Sequence, residues 1–154
     1  MKFADFISVK AIQPELTAVG KEGAIRELIA ALCHAGEIDT DHQEDVVECI
    51  LEREQLGTTG IGRGIAVPHA KHDGVAHTVG TVGVSTNGVA FDSLDGSPVN
   101  VLFLLVSPPD QSERHLKVLE KISRHLREDM FCRFLIQSKT IEDVQQVLAD
   151  VDDD

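Results

Sequence analysis

Several features that mark extracellular, membrane or metal-binding proteins are missing from the sequence. Tryptophan and tyrosine are absent from the 154 residues, and six phenylalanines are the only aromatic side chains apart from histidine. The three cysteines, Cys33, Cys49 and Cys132, are odd in number and form no C-x-x-C pair, which argues against a disulfide framework or a thiolate zinc site. The longest apolar run, at 101–106, is far shorter than the ~20 residues that a membrane-spanning helix needs. No basic and then apolar segment opens the chain, so we predict no signal peptide, no membrane insertion and a cytoplasmic protein.

Basic residues are scarce as well. The chain has 14 Lys and Arg against 26 Asp and Glu, a formal net charge of −12. Because nucleic-acid binding depends on neutralising phosphates, we predict no nucleic-acid partner. The 42% hydrophobic and 26% charged residues are typical of an ordinary globular protein. The length suits one domain, which we place at residues 1–150, followed by an acidic tail at 151–154.

The spacing of apolar residues predicts the order of secondary-structure elements. Alternation at 79–85 predicts a strand, and the nearly continuous apolar segment 99–106 predicts a strand covered on both faces. Helical spacing and capping residues predict five helices: Lys21–His34, one from a capping box at 40–43 to Gly57, one with Asp110 as N-cap, Asp129–Ile136 and 140–148. Helices first, strands in the middle and helices last predict an α/β or α+β domain.

The densest chemical signal is the glycine-rich segment 57–64, which we predict to be a loop. It is not a Walker A motif, because no Gly-Lys-Ser/Thr follows, and Ile65 occupies the third glycine position of the dinucleotide-binding fingerprint. Glycines let consecutive backbone N–H groups approach a phosphate closely. Gly60, Gly62 and Gly64 are therefore candidate substrate-binding residues.

His69 follows this segment directly after Pro68. A neutral imidazole nitrogen is a good nucleophile near pH 7 and can form a covalent intermediate, so His69 is a candidate catalytic residue. A tight turn with a surface histidine explains the same spacing without any chemistry. His69, His72 and His77 also suggest a metal site, but no Glu or Cys stands at a suitable spacing, and we predict no metal there.

Two more residues are candidates for the same site. His115 lies at the start of the apolar stripe of its predicted helix, which suits either a hydrogen-bonded histidine at the core or a second imidazole facing His69. Arg53 leaves its helix on the apolar side, four residues before Gly57. It suits either an interaction with the helix dipole or a planar contact with phosphate.

These residues carry a resemblance to a known family. Glu54, Ile61-Gly62 and the segment 65–70 (IAVPHA) match the phosphohistidine signature of the fructose/mannitol-type IIA domains (EIIA) of the bacterial phosphotransferase system. The segment 101–107, the pair Asp110-Gln111 and the pair His115-Leu116 resemble that family's strand–helix segment with its second histidine. The resemblance implies a single domain with a mixed β-sheet flanked by helices.

The resemblance also implies a phosphotransferase role. His69 would accept a phosphoryl group, and His115 and Arg53 take the positions of the family's second histidine and its arginine. The implied donor is the phosphocarrier HPr or its nitrogen-branch homologue, the implied acceptor is a IIB domain or a regulatory protein, and no metal or cofactor is implied. With no IIB or IIC domain in the chain, the sequence most resembles the nitrogen-regulatory branch. A fructose- or mannitol-specific IIA component for sugar transport is the alternative, and a non-catalytic or metal-binding α/β domain is the remote one.

Overall fold

The computed structural model describes residues 1–152, in which helices surround a five-stranded mixed sheet. Short 3-10 helices lie at Phe3–Asp5, Val9–Ala11, Thr40–His42 and Pro109–Gln111. The helices are α1 (Lys21–His34), α2 (Gln43–Leu56), α3 (Ser112–His125), α4 (Asp129–Ile136) and α5 (Ile141–Asp152). The strands are β1 (Gly60–Gly62), β2 (Ile65–Ala66), β3 (His69–Lys71), β4 (Val79–Val89) and β5 (Val99–Ser107). Of the predicted tail 151–154, the first two residues belong to α5 and the last two lie outside the described residues.

Strand β5 is the centre of the sheet. Along one edge it pairs antiparallel with β4, from Val79↔Val106 to Val89↔Val99. Along the other edge it pairs parallel first with β2 and then with β3, where His69 lies opposite Leu105. This register brings the end of β3 beside the end of β5.

The two faces of β5 are buried against different helices, as the apolar run 99–106 predicts. Leu102, Leu104 and Val106 belong to the cluster formed with α1 and α2. Phe103 and Leu105 belong to the cluster formed with α3, α4, α5 and the N-terminal segment. Because successive residues of a strand point to opposite faces, both faces of this strand must be apolar.

Some predicted elements are confirmed and others are wrong. Helices α1 and α4 have the predicted bounds. The predicted loop at 57–64 instead contains β1, which forms an antiparallel hairpin with β2. The predicted capping box at 40–43 is wrong, since Asp39 caps a 3-10 turn there and α2 starts at Gln43. Asp110 is also not an N-cap, because it lies inside the 3-10 turn that precedes α3.

None of the helices within residues 1–152 has the length and apolar character that crossing a membrane requires.

Candidate active site

An open cleft of about 730 Å³ lies between α2, β3 and α3. It contains all three predicted catalytic residues. The residues that line it are Cys49, Glu52, Arg53, Gln55 and Leu56 from α2, His69, Ala70 and Lys71 from β3, and His115, Leu116 and Leu119 from α3. Three elements far apart in the chain therefore build one pocket.

His69 opens strand β3 and is partly buried. Its Nδ1 lies 2.8 Å from the carbonyl oxygen of Val67. A carbonyl can only accept, so Nδ1 carries the proton and Nε2 keeps its lone pair. Burial lowers the pKa of His69, as do the positive charges of Arg53 and Lys71, so the ring is neutral at pH 7. The result is an unprotonated imidazole nitrogen in a position suited to a nucleophile.

His115 faces His69 from the first turn of α3. The two ring centroids are 5.5 Å apart, at an angle of 53°. His115 is 3% exposed, and its Nδ1 lies 2.6 Å from the Oγ of Ser107 at the end of β5. Burial lowers the pKa of His115 to about 4, with further contributions from His69 and Lys71. His115 is thus a hydrogen-bonded, buried histidine that also lines the cleft, and its role in catalysis stays a prediction.

Arg53 lies in the last turn of α2, and its Nη1 donates to the carbonyl oxygen of Gly57 at 2.9 Å. This contact closes the end of the helix, as one of the two sequence-based interpretations expects. The other guanidinium N–H groups stay available to an anion in the cleft, because a guanidinium has five donors. Arg53 thus closes the end of the helix and also lines the cleft.

Lys71 is a residue of this site that the sequence analysis missed. It lines the cleft, and its Nζ donates to the Oγ of Ser112 at the start of α3, at 3.0 Å. Residues two apart on a strand share a face, so the pair His69 and Lys71 becomes visible once β3 is known to be a strand. The spacing of apolar residues predicts no strand at 69–71, so this pair is not visible in the sequence.

The three candidate glycines lie elsewhere. Gly60, Gly62 and Gly64 form the β1–β2 hairpin, and none of them lines the cleft. A Cβ added at Gly60 would meet Ser93 at 2.6 Å, and Gly62 and Gly64 have positive φ angles of 100° and 82°. These glycines serve a tight turn and a close approach to the 93–100 segment. The prediction that they bind substrate has no support in this geometry.

The histidine cluster that could hold a metal differs from the one considered in the sequence. Within the described residues, the ligand atoms of His42, Asp45 and His72 lie within 4.8 Å of one another, whereas His69 and His77 belong to no such group. The Nδ1 of His72 accepts the N–H of Gly74 at 2.8 Å, so a neutral His72 carries its proton on Nε2. A metal bound at that nitrogen would have to displace the proton. The exposed side chain of His77 lies apart from this group, with its Nε2 3.7 Å from Glu37 Oε2.

The cleft therefore has the chemistry of a histidine-based group-transfer site for an anion: two neutral imidazoles, with Arg53 and Lys71 to offset negative charge. The comparisons agree with that class. A family model described as the phosphoenolpyruvate-dependent sugar phosphotransferase system, EIIA 2, matches residues 5–151. The chain belongs to this family, and it is a phosphotransferase component of the phosphohistidine type.

Relatives from two branches of the family are similar to the chain. A nitrogen regulatory protein of Bradyrhizobium diazoefficiens is 35% identical over 149 residues, which cover 97% of this chain and 95% of the relative. A fructose-specific EIIA component of Haloferax volcanii is 37% identical over 131 residues, with 85% and 84% covered. The crystal structure of the nitrogen regulatory protein IIA-Ntr from Neisseria meningitidis superposes with a TM-score of 0.83 at 29% identity and covers 94% of this chain and 97% of its own. The mixed sheet flanked by helices is thus the family's fold.

Proposed function

We propose that His69 is the phosphorylated residue and that His115 and Arg53 assist the transfer. One observation carries the proposal: the bond from His69 Nδ1 to Val67 leaves Nε2 unprotonated in the cleft that Arg53 and His115 line. Among the histidines of the described residues, only His69 has its Nδ1 bonded to a backbone carbonyl within this cleft, whereas the Nδ1 of His115 is bonded to a hydroxyl group. The proposed phosphoryl donor is the phosphohistidine of a carrier protein of the HPr type, and the proposed location of the protein is the cytoplasm.

The transfer is a displacement at phosphorus. Nε2 of His69 donates its lone pair to the phosphorus of the donor phosphohistidine, and the old P–N bond breaks with its electron pair left on the donor's ring nitrogen. Phosphoryl transfer needs little covalent help, so the protein contributes positioning and charge. Arg53 offsets the charge of the phosphoryl oxygens, and Lys71 adds a second positive charge on the strand of His69. No step of this mechanism uses a metal ion, so chelation should leave the transfer rate unchanged.

We propose that the phosphorylated chain signals to a regulatory protein, as expected for the nitrogen-regulatory branch. The support is the similarity to a nitrogen regulatory protein over 97% of the chain and the TM-score of 0.83 to IIA-Ntr. A sugar-transport role, with a IIB cysteine as the acceptor, is the second candidate. It is favoured by the 37% identity to a fructose-specific EIIA component.

The first experiment is incubation with Enzyme I, HPr and phosphoenolpyruvate, followed by measurement of intact mass. We expect the gain of one phosphoryl group that is labile to acid and stable to alkali. His69→Ala should gain none, whereas the matched control His77→Ala, an exposed histidine of the same segment, should gain it like the parent. Phosphorylation of His69→Ala would contradict the assignment.

A second experiment separates the two branches. The phosphorylated chain is mixed with a fructose-type IIB domain, and the loss of phosphate from His69 is followed over time. A regulatory protein should hold its phosphate in this mixture. Rapid and complete transfer to the IIB cysteine would instead establish the sugar-transport role.

A further inference from the structure

A line of buried polar side chains runs behind His115. Its Nδ1 lies 2.6 Å from Ser107 Oγ, which lies 3.1 Å from Thr78 Oγ1, which in turn lies 3.3 Å from Gln111 Oε1. Ser107 is fully buried and Thr78 is 1% exposed, so these hydroxyl groups depend on one another for hydrogen bonds. Four parts of the chain contribute: the segment before β4, the end of β5, the 3-10 helix Pro109–Gln111 and the first turn of α3.

The direction of each hydrogen bond follows from counting protons. Thr78 Oγ1 is placed to donate to either Ser107 Oγ or Gln111 Oε1, but it has only one proton. We assign that proton to Gln111, because an amide oxygen can only accept whereas the Ser107 hydroxyl can also donate. Thr78 therefore accepts from Ser107, whose own proton is then used. Ser107 must accept the remaining bond, so His115 donates to it from Nδ1.

We propose that Ser107, Thr78 and Gln111 are positioning residues that hold His115 as the tautomer with its proton on Nδ1 and the lone pair on Nε2. The inference deepens the proposed function and rests on it for its consequence in catalysis. His69 carries its proton on Nδ1 too, because it donates to Val67. Both imidazoles of the cleft then present an unprotonated Nε2 before the phosphoryl group arrives.

This tautomer sets what His115 can do after phosphorylation. A lone pair cannot donate to a phosphoryl oxygen, so His115 must first take up a proton from water at Nε2. The phosphoryl dianion on His69 favours that uptake, and Ser107 continues to accept the Nδ1 proton of the resulting imidazolium. The other titratable or charged groups that line the same cleft are His69 and Lys71 on β3 and Cys49, Glu52 and Arg53 on α2.

The test is the nitrogen NMR spectrum of the histidine rings in the unphosphorylated chain at pH 7. We expect Nδ1 of His115 to be protonated and Nε2 to be unprotonated. Thr78→Val keeps the shape but removes the acceptor of the Ser107 proton. Ser107 should then donate its proton to His115 Nδ1. Nearly all His115 side chains should shift to the Nε2-protonated tautomer, although neither His115 nor Ser107 has changed.

The matched control is Thr81→Val, a fully buried threonine of β4 whose hydroxyl lies 3.5 Å from the carbonyl oxygen of Ser8. It should leave the His115 spectrum unchanged. If Thr78→Val fails to fold, Gln111→Leu tests the same step from a partly exposed position and should shift the tautomer in the same direction. A parent chain with the proton on Nε2, or folded variants with the parent's spectrum, would overturn the inference.

The spectrum of the phosphorylated chain separates this inference from the proposed function. We expect both nitrogens of His115 to be protonated at pH 7 once His69 carries phosphate. An unprotonated Nε2 in the phosphorylated chain would overturn the proton uptake. If no phosphate is gained, the proposed function fails while the tautomer in the unmodified chain is still measured.

Discussion

At the scale of single residues, the partners of the two Nδ1 atoms distinguish His69 from His115. His69 donates to a backbone carbonyl, which is held by the strand and has no other protonation state to offer. His115 is bonded to a hydroxyl group, which can donate or accept. The tautomer of His69 is therefore fixed by the backbone, whereas the tautomer of His115 depends on side chains that can be changed one at a time.

Removing either assisting residue should slow the transfer rather than abolish it. The loss of one charge-assisted hydrogen bond is worth roughly 1.5–3 kcal/mol, or about tenfold to more than a hundredfold in rate. We expect this loss for His115→Ala. Arg53→Lys should transfer phosphate at only part of the parent's rate, because an ammonium group cannot form a planar bidentate contact. The measurement is the rate of phosphate gain from phospho-HPr, with thermal unfolding as the check on folding. A His115→Ala rate equal to the parent's would reduce that histidine to a packing residue.

His115 should also make stability depend on pH. Its pKa is lowered from 6.5 to about 4, mainly by burial. As the pH falls from 6.5 towards 4, the unfolded chain takes up a proton at this ring that the folded chain does not, so the folded state loses stability in that window. Unfolding in urea across this range should show a smaller loss for His115→Asn than for the parent, since all the carboxyl groups are common to both chains. Equal losses would mean that the ring titrates normally in the folded state.

At the scale of elements, the end of α2 is tied to the strand segment that carries His69. Glu54, a residue of the sequence signature, is 7% exposed. Its carboxylate accepts hydrogen bonds from the N–H and the hydroxyl group of Thr59, and its Oε1 lies 3.1 Å from Lys21 Nζ. The carbonyl of Thr59 accepts the N–H of Val67, whose own carbonyl binds His69. The signature glutamate is thus connected to His69 through backbone hydrogen bonds.

Glu54→Ala should therefore destabilise the fold and disturb the site. It leaves the buried N–H of Thr59 without its acceptor, a cost of about 2 kcal/mol. Glu48→Ala, on an exposed position of the same helix, is the matched control and should change stability by less than about 0.5 kcal/mol. Urea unfolding measures both variants, and equal midpoints for Glu54→Ala and the control would show that this contact carries no stability.

At the scale of the whole molecule, one carboxylate joins the two ends of the described chain. Asp152 on α5 accepts from the N–H groups of Phe3 and Ala4, at 2.9 and 3.1 Å, and lies 3.5 Å from the ammonium of Lys121 on α3. Lys121 also lies over the ring of Phe3, 4.7 Å from its centroid. The N-terminal segment, which continues along β4 through bridges at Ile7 and Gln13, is thereby held against the helices.

Asp152→Ala should lower the stability of the whole domain without changing the chemistry. It leaves two N–H groups and one nearly buried ammonium without their acceptor, so we expect a loss of about 2–3 kcal/mol. Asp150→Ala, at an exposed position of the same helix, should have little effect. Phosphate gain from phospho-HPr should stay at the parent rate in both variants below the unfolding range. A slower rate for folded Asp152→Ala would show that the terminal contact reaches the cleft.

The elements that the sequence determined by itself are those with local causes. The bounds of α1 and α4 follow from apolar residues three and four positions apart, and the double-sided burial of β5 follows from its unbroken apolar run. His69, His115 and Arg53 could also be selected from the sequence as candidate catalytic residues, because each has a distinctive position in a motif or on a helix face. The spacing of these residues alone does not predict that their three side chains line the same cleft.

Tertiary structure decided what depends on partners distant in the chain. Strands β2 and β3 depend on pairing with β5, where Ile65 lies opposite Val101 and His69 opposite Leu105, and β1 in turn pairs with β2. The β1–β2 hairpin and β3 were therefore missed, and Lys71 with them. The same register places the glycines beside 93–100 and away from the cleft. Ser107 and Thr78 reach His115 only because the end of β5, the segment before β4 and the first turn of α3 meet. A helix carries its hydrogen bonds within its own segment, whereas a strand and a buried polar group find theirs only when the rest of the chain has folded around them.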